Sequence, residues 1–160
     1  MASLPNCQFF KISADGKELK GYSKDDEYKN YIEGYSLGSV SSYKSAYGHE
    51  FDPVSARILV KPGDVGELYG KFLDKETHKF EVTIVHRTTN GNKPFEHKIN
   101  VYSGCTIESL AIVAMEDGNT FYDLTFTFGK VSVELNAIGD DGKPEKIGPY
   151  VYNVVESKSE

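Results

Sequence analysis

The sequence has no tryptophan, only two cysteines (Cys7 and Cys105), two methionines and six prolines among its 160 residues. Two distant cysteines in strand-like, apolar surroundings form neither a CxxC pair nor a disulfide framework, which fits a reducing compartment and two buried thiols. Long hydrophobic runs are missing too. The longest wholly apolar one is Leu110 to Met115, far below the roughly 18 residues of a membrane-spanning helix. Residues 1–7 carry neither the charged n-region nor the apolar h-region of a secretory signal. Positive charge is scarce: 18 Lys and Arg stand against 24 Asp and Glu, a formal net charge of −6, with the acidic excess mainly in residues 81–160. No basic run offers the concentrated charge that gripping a phosphate backbone demands. Neither a nucleic-acid partner nor membrane insertion is therefore expected.

What is present is aromatic and alternating. Eleven Tyr and nine Phe favour packed sheets over disorder. The length fits a single domain over 1–160 that needs no disulfide or metal to build its core, with flexible ends at about 1–6 and 156–160. The dominant hydrophobic period is two, which predicts strands bounded by turns. In Phe80–Arg87, Phe80, Val82, Ile84 and His86 share one face. Thr89-Asn90-Gly91-Asn92 then supplies residues that tolerate positive φ, and alternation resumes over Phe95–Tyr102, so a hairpin is predicted. A second hairpin joins Thr106–Met115 to Thr120–Phe128 through Glu116-Asp117-Gly118-Asn119. Further strands are expected at Cys7–Ser13, Tyr31–Leu37, Val54–Val60 and Tyr150–Val155, about eight in all.

One fault in the pattern is informative. Tyr122, Leu124, Phe126 and Phe128 are even-numbered, whereas Val131, Val133 and Leu135 are odd. A bulge or bend at Gly129 would keep both sets on one core, and strongly bent strands belong to closed sheets. A single helix is predicted over Val65–Asp74, with Asp64 as N-cap, Glu67 completing a capping box, and Val65, Leu68, Tyr69 and Phe72 on one face. Gly66 and Gly70 cost it about 1 kcal/mol each, so it depends on packing. Gly38–Pro53 has no steady period and exceeds the about 12–15 residues of ordinary connections. Its Tyr43, Tyr47 and Phe51 mark it as a docking element, a protein–protein interface.

No catalytic, cofactor or metal constellation emerges. His86 and His97 lie on the two arms of one predicted hairpin and could chelate a metal if paired, but two ligands do not make a site. They read as structural residues. Asp25-Asp26-Glu27 and Asp140-Asp141 sit among turn-forming residues and read as solvated loops rather than general acids or bases. There is no nucleophile elbow, phosphate-binding loop or dinucleotide fingerprint, so an enzyme is not expected.

The order of these elements resembles the Hcp family, the haemolysin-coregulated proteins of bacterial type VI secretion. The likeness is carried by Phe10-Lys11-Ile12-Ser13-Ala14-Asp15-Gly16 and Tyr31-Ile32-Glu33-Gly34-Tyr35-Ser36, followed by the long loop, the strand to Lys61 and the single helix. It continues through Phe80-Glu81-Val82-Thr83-Ile84 with Arg87, and closes at Leu124-Thr125-Phe126-Thr127-Phe128-Gly129-Lys130-Val131. It spans roughly residues 7–155. Where the family commonly has Trp-Thr-Tyr after that lysine, this chain reads Ser132-Val133-Glu134-Leu135.

The resemblance implies a mainly β fold, a two-sheet antiparallel β-barrel with one short α-helix. It implies homohexameric rings that stack head to tail into the secretion tube and carry effectors, with sheath, spike and effector proteins as partners. It implies a protein made in the bacterial cytoplasm and released without a cleavable signal, and no effector domain is expected after Val155. The alternatives are a barrel that encloses a small apolar ligand, the tail-tube protein of another contractile injection system and a metal-assisted hydrolase using His86 and His97.

Overall fold

The computed structural model describes residues 8–36, 42–46, 48–76, 78–90, 93–114, 120–156 and 158–159. In chain order its strands are β1 (Gln8–Ala14), β2 (Lys17–Glu18), β3 (Ile32–Tyr35), β4 (Ser42–Ser45), β5 (Gly48–Phe51), β6 (Val54–Leu59), β7 (Phe80–Asn90), β8 (Lys93–Ala114), β9 (Thr120–Thr127), β10 (Lys130–Ile138), β11 (Pro144–Asn153) and β12 (Lys158–Ser159). The helix α1 (Val65–Leu73) follows a 3-10 turn at Pro62–Asp64. No helix among the described residues is long and apolar enough to cross a membrane.

Two predicted strands, Phe95–Tyr102 and Thr106–Met115, are one. The 22-residue β8 runs through both, and it closes the barrel. Along one edge it pairs with β7; along the other it pairs with β10 over Lys98–Ser103 and with β9 over Thr106–Ala114. From β7 the antiparallel ladder passes through β1, β3, β6 and β9 and returns to β8. Outside this six-membered ring, β10 carries β11 and β12.

The parity flip at Gly129 is where the closed sheet turns its corner. The Gly129 amide donates to the carbonyls of Ser103 and Gly104, at 3.0 and 3.2 Å. Gly104 itself has φ +61, a left-handed conformation that a side chain would strain. Both strands therefore bend at the same level, and Phe126, Phe128 and Val131 all enter one core. Tyr102, Tyr122, Phe10, Phe126 and Ile58 are among its largest fully buried side chains, each worth roughly 1.5–3 kcal/mol of removal from water.

Helix α1 lays Leu68 into this core, with Tyr69 and Phe72 packed against it. The predicted capping box does not form. Asp64 belongs to the 3-10 turn with helical backbone angles, so its carboxylate makes no cap hydrogen bond, and Glu67 pairs with Lys17 of β2 at 2.9 Å instead.

The segment between β2 and β3 crosses the outside of the barrel as a strap. Tyr28 stacks on Phe9 with ring centroids 4.7 Å apart, and the Arg87 guanidinium lies 4.8 Å over the Phe9 ring. Asp25, expected in a solvated loop, is half-buried and accepts a hydrogen bond from Arg87. Burial raises its pKa, but that partner and the turn amides outweigh burial and hold it below the usual range. Asp26 and Glu27, like Asp140 and Asp141, are exposed. Of the ends expected to be flexible, residues 1–6 lie outside the description, while Lys158–Ser159 pairs with Tyr152–Asn153.

Candidate assembly surfaces

The long unpatterned segment contains the β4–β5 hairpin, in which Tyr43 opposes Glu50 and Lys44 opposes His49. Tyr43 is 54% exposed, and a hydrogen bond to Glu50 raises its phenol pKa. Phe51 lies at the hairpin's foot and turns inward, its ring 5.4 Å from Phe128 and 5.3 Å from Tyr152. The His49 amide donates to the Tyr152 hydroxyl at 3.2 Å. Tyr43 is thus presented outward and Phe51 fastens the hairpin to its own barrel. Tyr47 lies outside the described residues.

At one end of the barrel the β1–β2 turn meets α1. His78 holds Asp15 through Nδ1 at 2.6 Å and Asp74 through Nε2 at 3.3 Å. Lys71 reaches Asp15 at 3.3 Å, and the Lys79 amide donates to the other Asp15 oxygen at 2.8 Å. The backbone bond from Lys79, then the bond from His78, hold the Asp15 pKa down to about 2. The hydrogen bond to Asp15 in turn raises the pKa of His78. Cys105, near this end, is buried, and burial pushes its thiol up to about 12, so it is a packing residue.

At the other end the inward-facing rows run beyond the closed core. The row Ile12, Val82, Tyr102, Val131 and Tyr152 crosses five strands; Phe10, Ile84, Asn100, Val133 and Tyr150 come next, then Gln8, His86, Lys98, Leu135 and Ile147. Gln8 is satisfied by the Ser36 backbone on both sides of its amide. Asn100, fully buried, donates to the Tyr102 hydroxyl at 3.2 Å. His86 opposes Lys98 rather than His97, because the ladder skips a residue between His86 and Arg87. His97 occupies the skipped position and faces solvent, so the two histidines do not form a chelating pair. Burial first, then the charges of Lys98 and His97, lower the His86 pKa to about 4.

Sequence reasoning did not single out Lys98, Asn100 or the Asp15–His78–Asp74 contact. The sequence put His86 on the face of Phe80, Val82 and Ile84, but only the ladder shows that Lys98 stands opposite it.

No protein-family model matches the sequence, and no characterised protein matches it by sequence. Solved structures do match in shape. Hcp1 from Salmonella typhimurium superposes with a TM-score of 0.66 at 15% identity, over 96% of this chain and 99% of that one. A type six secretion system protein gives 0.70 at 17%, covering 95% and 99%. A type VI secretion system effector from Yersinia pestis gives 0.60 at 16%, covering 91% and 99%. Each superposition spans nine-tenths or more of both chains, and the chain has the fold of the Hcp proteins.

Proposed function

We propose that the protein is the building unit of a type VI secretion inner tube, assembling as homohexameric rings that stack and carry effectors. The observation that carries this reading is the fold shared with Hcp structures along almost the whole of both chains. A closed ring needs a heterologous contact within the ring and a second contact between rings. In this reading one domain spans 1–160 and has no catalytic, cofactor or metal role. Sheath, spike and effectors are its partners, and it leaves the bacterial cytoplasm through the machine itself. The β4–β5 hairpin is one contact surface, with Tyr43 outermost and Tyr47 and Phe51 in the same segment.

The packed interior speaks against the ligand-carrier alternative. Large buried side chains fill the core, and the crevice of about 400 Å³ lined by Tyr35, Arg57 and Asp123 belongs to the outer sheet face. Light scattering across a concentration series, with electron microscopy of the same samples, tests the proposal. Six-fold rings are expected; a monomer at every concentration sinks it. Tyr43→Asp should weaken rings while changing subunit stability by less than about 0.5 kcal/mol. Phe51→Asp should cost the subunit about 2 kcal/mol or more, because it places a charge against Phe128 and Tyr152. Equal stability losses in the two variants would contradict this division of roles.

A further inference from the structure

The end of the barrel opposite α1 holds a charge that no described residue answers. Lys98 is half-buried beside His86, and the His86 Nε2 is buried without a hydrogen-bond partner. Among the described residues no acid is recorded against Lys98 or His86. Gln8 is committed to Ser36, Leu135 is apolar, and His97 points to solvent. Glu96, the nearest acid in sequence, is engaged by the Tyr28 hydroxyl beneath the strap. Burial is what lowers the proton affinity of Lys98, and the charges acting on His86 are cationic.

A desolvated ammonium is costly unless it is paired. Lys98 and His86 stand opposite each other in the β7–β8 ladder, so a carboxylate brought to the Lys98 ammonium is also placed beside the His86 ring. On the same face, farther out, Ile147 is 38% and Tyr150 64% exposed. A small anion would leave that apolar shelf wet, whereas a protein segment bearing an acid would cover it, giving the apolar centre and charged anchor of a protein interface. We propose that the Lys98–His86 pair and the Ile147–Tyr150 shelf form one docking site for an Asp or Glu side chain of a second copy of this chain. The inference rests on the tube reading above and assigns one of its contacts. The chain's formal charge of −6 means each copy has surplus acid to offer.

Sedimentation velocity over a concentration series, with circular dichroism as the fold check, tests the site through Lys98→Met and Lys98→Arg. Lys98→Met should weaken assembly by at least about tenfold, as loss of one partner in a desolvated charge pair does, whereas Lys98→Arg retains it. In histidine-labelled wild-type protein, the His86 resonance should titrate at higher pH in rings than in dispersed subunits. Should Lys98→Met fail the fold check, the exposed Ile147→Glu tests the same shelf and should also weaken assembly. Rings that form normally from both variants overturn the docking site and leave the tube reading standing. A wild-type protein that never assembles overturns the tube reading and this inference with it. If acetate shifts the His86 resonance of dispersed subunits while ring formation ignores position 98, the pair is a small-anion site and the second-copy assignment fails.

Discussion

The two ends of the barrel meet water in opposite ways. At the α1 end a set of charges is answered within the chain: Asp15 with His78, Lys71 and the Lys79 amide, Asp74 with His78, and Glu67 with Lys17. Leu68 seals the core beneath them. At the other end the inward-facing rows outrun the core, with Lys98 and His86 half-buried and Ile147 and Tyr150 exposed. The difference teaches that the chain balances named charges internally at one end, which adds stability, and at the other leaves a half-buried cation and exposed apolar side chains, the surface that the proposed docking site uses.

The contrast breaks first at the hydrophobic seal. Leu68→Ala should cost about 3 kcal/mol in urea unfolding, the loss expected for a fully buried leucine, while Ile147→Ala at the other end should cost less than about 1 kcal/mol. Similar losses at both positions would erase the distinction. The next test is pH. Because the folded pKa of His78 is raised, its contribution is fully present below the ordinary imidazole range and is lost as pH rises through the folded pKa. The gap in melting temperature between wild type and His78→Gln should therefore be widest near about pH 5.5 and shrink by about pH 8. A gap that grows with pH would mean that His78 is held neutral. Asp15 acts at the acid extreme: its pKa of about 2 means its contribution is lost as pH falls from the ordinary carboxylate range toward that value. The smallest expected effect is the sharpest in sign. Lys98→Met should stabilise the dispersed subunit slightly, by about 1 kcal/mol or less, since it removes a partly desolvated charge that no described residue answers. Destabilisation measured by chemical unfolding would show that Lys98 already has a partner within the subunit.

Much of the fold was legible in particular residues. Alternation in Phe80–Arg87 and Val54–Val60 gave strands close to β7 and β6, and the parity change between Phe128 and Val131 marked the corner at Gly129. The face of Leu68, Tyr69 and Phe72 predicted how α1 packs. Other features were misread where a local rule met a nonlocal competitor. Asp64 and Glu67 have capping-box spacing, yet Lys17 is within reach of Glu67 and takes it. Asp25 looked like loop chemistry because Arg87, its partner, is 62 residues away. Phe51 and Tyr43 looked alike in a polar loop, but the hairpin sends Tyr43 outward and presses Phe51 onto Tyr152.

The sequence by itself determined which residues alternate, where the chain must bend and which stripe of the helix is apolar, because these follow from backbone sterics and side-chain period over a few residues. Only the tertiary structure decided that one long strand closes the ring, that one end is sealed by Leu68 and the His78 bridge, and that Lys98 and His86 stand together with no acid against them among the described residues. Period two fixes a strand's faces but not its neighbours. Neighbours are chosen by contacts between residues distant in sequence, where burial and charge balance are settled for the whole barrel at once.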